Sequence, residues 1–130
     1  MREQKKGYAK EVTVVVVDDD GAVRESLKFS LELEGFRVSA YPGGRELLND
    51  PEFLNAGCLV VDQVMPGMSG LEVVDAVRHR GGKIPILLMV SHPNAMVRSG
   101  ALQRGIAIVE KPFFGHELRD AIRDAIEGSS

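Results

Sequence analysis

A chain of 130 residues, 44% hydrophobic and 27% charged with a net charge of −3, has the balance of one soluble globular domain and no basic field for direct nucleic-acid binding. No apolar run approaches the roughly 20 residues of a membrane span, and the opening residues lack the apolar stretch of a secretory signal. The single cysteine, Cys58, cannot form an internal disulfide, which suits a reducing cytoplasm.

Residues 1–10, with Lys5, Lys6 and Lys10 and no periodicity, read as a loose basic tail; residues 11–127 form one domain and 128–130 a tail or linker stub. Val12–Val17 is a β-branched run, as in a central parallel strand covered on both faces, and it stops at Asp18-Asp19-Asp20. From Ala22 to Glu34, Val23, Leu27 and Leu31, with Ser30 and Leu33 one face over, have helical spacing, and Gly35 closes the helix. Phe36–Tyr41 alternates like an edge strand with one wet face. After Pro42-Gly43-Gly44, Arg45–Asn49 is a short second helix that Asp50-Pro51 ends.

Cys58–Val61 is a buried strand, with Cys58 an inert thiol, and it runs straight into Asp62. A Met65-Pro66-Gly67 turn then leads to Ser69 and Glu72, which have capping-box spacing. Leu71, Val73, Val74 and Val77 mark a third helix, ended by Gly81-Gly82 after Arg78-His79-Arg80, with His79 a solvated cation at the negative end of the helix dipole. Ile84–Val90 is a fourth strand ending in Ser91-His92-Pro93. Asn94 caps a fourth helix to Arg104, and Ile106–Val109 leads into Glu110-Lys111-Pro112. Gly115–Glu127 closes the chain, with Leu118, Ala121, Ile122, Ala125 and Ile126 on one face. Five strands alternating with five helices predict a doubly wound α/β fold with a parallel sheet.

In such a sheet, ligand chemistry sits beyond the carboxyl ends of the strands. Those ends carry Asp18-Asp19, Asp62, Ser91 and Lys111; the edge strand contributes nothing, and Asp20, one residue too far along, belongs in solvent. With strand order 2-1-3-4-5 the carboxylates meet at the switch between strands one and three. Close carboxylates repel unless a cation joins them, and hard oxygen donors suit Mg²⁺. Asp18, Asp19, Asp62 and Lys111 sum to −2, which one divalent ion cancels. The set is arranged for phosphoryl transfer: Asp62 as nucleophile, Mg²⁺ and Lys111 each on one phosphoryl oxygen, the Ser91 hydroxyl with a backbone N–H on the third.

Val17-Asp18-Asp19-Asp20-Gly21-Ala22-Val23-Arg24, Val61-Asp62-Gln63-Val64-Met65-Pro66-Gly67-Met68-Ser69-Gly70, Ser91 and Glu110-Lys111-Pro112-Phe113, in that order, resemble the receiver domain of two-component response regulators, of the nitrogen-fixation-regulator-like branch. The resemblance covers residues 11–127. It implies a flavodoxin-like (βα)5 fold and a Mg²⁺-dependent phosphorelay protein that catalyses only its own phosphorylation and dephosphorylation. By the same resemblance Asp62 is the phosphoacceptor, Asp19 binds Mg²⁺ directly, Asp18 binds it through water, and the main-chain carbonyl of Val64 completes the protein ligands. Ser91 is then the switch hydroxyl and Lys111 the phosphate-contacting cation, with Lys111-Pro112 cis. The implied partners are a sensor histidine kinase or a histidine phosphotransfer protein, docking near Val23, Arg24 and Leu27, and a second copy in a phosphorylation-linked homodimer.

Several residues depart from that pattern. Ile108 stands where the family usually has an aromatic, the stretch from Ser91 to Lys111 is about two residues short, and Gly100 lies inside the fourth helix. These predict a short or mobile fourth helix and signalling without an aromatic switch. Val64 and Pro93 lack polar groups to align a hydrolytic water and His92 is bulky, which predicts a long-lived phosphoryl group. Within the family, the alternative is a binding module that works without phosphorylation. A small Mg²⁺-dependent phosphatase would need a second acid-base carboxylate, which Gln63 and Val64 do not supply. A flavin carrier would need a phosphate-cradling loop after the first strand, and this loop is acidic.

Overall fold

The computed structural model describes residues 12–113 and 115–128, so the basic tail expected at 1–10 lies outside the described residues. The β-branched run becomes β1 (Thr13–Val17), followed by α1 (Gly21–Leu33), β2 (Arg37–Tyr41) and α2 (Gly44–Leu48). A 3-10 turn (Pro51–Asn55) leads to β3 (Cys58–Asp62), α3 (Gly70–His79) and β4 (Ile86–Val90). Then come α4 (Ala95–Gln103), β5 (Ala107–Glu110) and α5 (Glu117–Gly128). All strand pairs are parallel, in the order β2-β1-β3-β4-β5.

Alternation along the central strands feeds two apolar layers. Val15, Val17, Leu59, Val61, Leu88 and Val90 face Leu47 of α2, Val73, Val74 and Val77 of α3 and Ala101 of α4. Val14, Val16, Cys58, Val60, Leu87 and Met89 face Leu27 and Leu31 of α1 and Leu118 and Ile122 of α5. Each aliphatic side chain so buried contributes about 1.5–3 kcal/mol relative to exposure. Burial pushes the Cys58 thiol up to about 12, which keeps it inert as expected.

The element boundaries move for local reasons. β4 starts at Ile86 rather than Ile84, because Pro85 has no N–H for the ladder, although its carbonyl accepts from Leu59 N at 2.9 Å. β5 runs one residue later than its apolar run, because Glu110 pairs with Val90. α1 starts at Gly21: the Asp20 carboxylate is in solvent as expected, yet it accepts from Ala22 N (2.9 Å) and Val23 N (3.2 Å) as an N-cap. Asp50-Pro51 opens the 3-10 turn, with the Asp50 carboxylate on Glu52 N. Leu33, expected beside the apolar face of α1, is exposed.

α4 is short but anchored. Asn94 caps Val97 N at 2.9 Å, and Arg104 holds Asp75 of α3 with two hydrogen bonds of 2.8 and 2.9 Å. Gly100 is buried where a Cβ would lie 2.7 Å from Leu71 Cδ1, so a side chain there would displace the end of Leu71, which packs against it. Its nine-residue length agrees with the expected shortness, and hydrogen exchange at its amides, compared with that of α3, tests the expected mobility.

Candidate functional site

β3 carries the site by one residue more than its apolar run suggests. Asp62 is the last paired residue of the strand, in register with Met89, and only 7% exposed. On the neighbouring strand β1, Asp18 follows Val17 and is 1% exposed. A carboxylate so buried must have every polar atom accounted for, and it does. Asp18 N donates to Tyr41 O (3.1 Å), and its carbonyl accepts from Arg24 Nη1 (2.8 Å). Its Oδ1 accepts from Asp20 N (2.9 Å), and its Oδ2 lies 3.4 Å from Lys111 Nζ. Asp19, next along, is exposed and holds its carboxylate open.

Lys111 reaches the pair from the end of β5, its backbone N fixed on Val90 O at 2.9 Å. Its Nζ sits between Asp62 Oδ1 at 3.1 Å and Asp18 Oδ2 at 3.4 Å. Burial pushes the Asp62 carboxyl above the usual carboxylate range; Lys111 draws it back, and Asp18 and Asp19 add to the rise. Burial pulls the Lys111 ammonium down, but the hydrogen bond and charge of Asp62, then those of Asp18, outweigh it and leave the group raised.

One carboxylate oxygen each from Asp18, Asp19 and Asp62 lies within 4.8 Å of the others. Three hard oxygen donors, two of them buried beside a single lysine, fit Mg²⁺ with part of its water shell retained. Both Asp18 oxygens are engaged, by Asp20 N and Lys111 Nζ, and Asp62 Oδ1 faces Lys111 Nζ. Val64, whose carbonyl was expected to join them, is in the loop after Asp62 with its side chain exposed.

Ser91 makes no hydrogen bond to this cluster. It follows β4 two residues beyond the register partner of Asp62, is exposed, and its hydroxyl makes no hydrogen bond among the described residues. His92 is exposed and Pro93 half-buried beside it. Two contributors were missed in the sequence. Arg24 braces the Asp18 carbonyl, and its place one turn into α1 was the available signal. Tyr41 ends β2, the edge strand expected to contribute nothing. Its carbonyl takes Asp18 N, while its hydroxyl donates to Asp50 Oδ2 at 2.7 Å and is pushed up to about 12 by burial and that acceptor.

A separate hollow lies away from the acidic cluster. A groove of about 530 Å³ between β5 and the end of α5, lined by Ile84, Ile106, Ile108 and Ala125 with Arg78 and Lys83, contains none of its carboxylates.

The response regulator receiver domain model matches residues 14–123. This chain belongs to the response regulator receiver family. The FixJ transcriptional regulatory protein of Azorhizobium caulinodans is 36% identical over 118 residues, 90% of this chain and 56% of FixJ. The response regulator protein TmoT of Ectopseudomonas mendocina is also 36% identical, over 90% of this chain and 54% of its own length. The receiver domain thus spans about half the length of the relatives it matches. A crystal structure of FixJ-N superposes with a TM-score of 0.81 at 32% identity, covering 90% of this chain and 94% of that one. Full-length FixJ from B. japonicum superposes with 0.83 at 32% identity, covering 92% and 60%.

In this receiver domain Ile108 is half-buried against the layer that holds α3 and α4. The docking surface expected around Val23, Arg24 and Leu27 loses Leu27, which is buried under α1. Among the described residues no helix is long and apolar enough to cross a membrane.

Proposed function

We propose that residues 11–127 are the phosphoacceptor unit of a cytoplasmic response regulator and that Asp62 accepts the phosphoryl group from a sensor histidine kinase or a histidine phosphotransfer protein. The observation that carries the reading is the Lys111 ammonium held between two buried carboxylates, with the open Asp19 carboxylate beside them. Asp19, Asp62 and the Val64 carbonyl would hold Mg²⁺ directly and Asp18 through water. Bound Mg²⁺ supplies charge neutralisation at the phosphoryl oxygens.

Asp62, fixed at the end of the β3 ladder, presents one carboxylate oxygen to phosphorus. An O–P bond forms, the bond from phosphorus to the donor imidazole nitrogen breaks, and the imidazole leaves with its electron pair and takes up a proton. Lys111 swings its ammonium from the carboxylate to the arriving phosphoryl oxygen, and Ser91 donates its hydroxyl to another. The group transferred ends on the domain's own Asp62, which is the sense in which it is a signalling module rather than an enzyme. Phosphorylation-linked pairing of two copies belongs to the same proposal.

Intact mass after incubation with Mg²⁺ and acetyl phosphate tests it. The wild type should gain one phosphoryl group, and Asp62→Asn should gain none. A wild type that stays unlabelled with both acetyl phosphate and a cognate phosphodonor would leave only the phosphorylation-independent module.

The label should also persist. Val64 and Pro93 offer no polar side-chain atom to align a water, so decay after donor removal should take minutes or longer. Val64→Asn, which supplies such a group, should shorten the lifetime at least about tenfold. Wild-type decay within seconds would refute this.

A further inference from the structure

Every α-helix starts with four backbone N–H groups that have no intrahelical acceptor. At α3 all four are satisfied. The capping box takes two, with Ser69 N on Glu72 Oε1 (2.9 Å) and Glu72 N on Ser69 Oγ (3.2 Å). Gln63 takes the other two, with Gly70 N on its backbone O (3.0 Å) and Leu71 N on its side-chain Oε1 (2.9 Å). Gln63 N in turn donates to Met89 O of β4 at 3.0 Å. One residue, adjacent to Asp62, therefore joins the ends of β3 and β4 to the start of α3.

The joint has no slack. A Cβ on Gly70 would lie 2.6 Å from the Asp62 carbonyl and 2.9 Å from Gln63 Cα, so the first residue of α3 rests directly on the backbone that carries the acceptor carboxylate. If Gln63 Oε1 were removed, the half-buried Leu71 N–H would need water in its place. Because Gly70 sits against Asp62 O and Gln63 Cα, a change in that cap bears on the backbone that carries Asp62.

We infer that Gln63 is a positioning residue for Asp62: its amide oxygen, by capping Leu71, seats α3 on the end of β3 and fixes how the carboxylate faces Lys111 and a divalent cation. The inference rests on the reading of Asp62 as acceptor, and it uses the side chain rather than the backbone of residue 63. It also leaves the α3 N-terminus no spare donor for a phosphoryl oxygen, so that role falls to Lys111, Ser91 and the loop amides.

The test compares two variants that each remove one side-chain cap from the same helix. Gln63→Met keeps length and loses the acceptor; Ser69→Ala removes the other cap, away from Asp62. Three quantities are read: hydrogen exchange at the Leu71 amide, the Mg²⁺ concentration for half-saturation from the Asp19 amide shift in NMR, and the initial rate of acetyl phosphate labelling.

Gln63→Met should lose Leu71 protection, raise the half-saturating Mg²⁺ about tenfold and slow labelling about tenfold, the scale of losing a supporting contact around a metal site. Ser69→Ala should lower the melting temperature while leaving Mg²⁺ half-saturation and labelling within about twofold of wild type. Gln63→Glu, which keeps an oxygen in reach of Leu71 N, should restore the protection. Equal effects of Gln63→Met and Ser69→Ala on Mg²⁺ and labelling, or no effect of Gln63→Met, would overturn the inference. A wild type that binds Mg²⁺ but takes no label would instead sink the acceptor reading, while the Mg²⁺ titration still decides the part played by Gln63.

Discussion

Lys111→Met should lower stability by about 3 kcal/mol at pH 7 without divalent ions, the scale of removing one partner from a buried charge pair. Asp18 and Asp62 are 1% and 7% exposed, and Lys111 Nζ is the cation within 3.4 Å of both. The Lys111 group is raised in the folded state, so its contribution is fully present at neutral pH and is lost only as pH rises through that raised value. In the variant, the two carboxylates carry the cost themselves. It should shrink as pH falls and Asp62, already raised, takes up a proton. Mg²⁺ at 100 times its dissociation constant should return about 2.7 kcal/mol. Urea melts at pH 7 and pH 4.5, with and without Mg²⁺, check this; a small loss independent of both would disprove the charge account.

The opposite sign is expected for Asp62→Asn. A carboxyl raised on folding binds its proton longer in the folded state, so above that raised value its ionisation costs stability. Without Mg²⁺ the neutral amide should therefore raise the melting temperature at pH 7, and the gain should vanish at pH values below the ordinary carboxylate range. If Asp62 is the acceptor, as proposed, its burial exchanges some stability for function.

Gly70→Ala is the second large effect. Two of the three atoms its methyl would strike, Asp62 O and Gln63 Cα, are backbone, and the third is Leu88 Cδ1 at 2.6 Å, so no rotamer change relieves the overlap. Overpacking of this kind costs about 1–3 kcal/mol. Because the collision falls on Asp62 itself, labelling by acetyl phosphate should drop by more than about tenfold. Gly67→Ala is the comparison: Gly67 has φ +85 and open space around it, so alanine there costs about 1 kcal/mol of backbone strain. It should label at the wild-type rate. Equal labelling defects in the two variants would mean that general loosening, not the seat under Asp62, is responsible.

The parts of the fold legible in the sequence were those written in local signals. Val14–Val17 and Cys58–Val61 are apolar on both faces because they lie inside the sheet, and Ser69 with Glu72 announces the start of α3 by its spacing alone. Asp18, Asp19, Asp62 and Lys111 could be grouped because strand order brings the ends of β1, β3 and β5 toward one edge. What stayed hidden depends on tertiary distance. Gly100 reads as a flaw in a helix until Leu71 is found against it. Tyr41 gives no local sign that it holds Asp18 through its backbone, and Arg24 only its place one turn into α1. Asp50-Pro51 stops a helix and starts a 3-10 turn by the same chemistry, and only the path of the chain separates the two.

The attachment of α4 has a mechanical consequence. Its far end is clasped by the Arg104–Asp75 pair and its middle bears on Leu71 at Gly100, while its near end hangs from Asn94, three residues from Ser91. Its supports against α3 thus lie in its middle and at its C-terminal end, and the exposed Met96 side chain stands on the arm nearer Ser91, outside both.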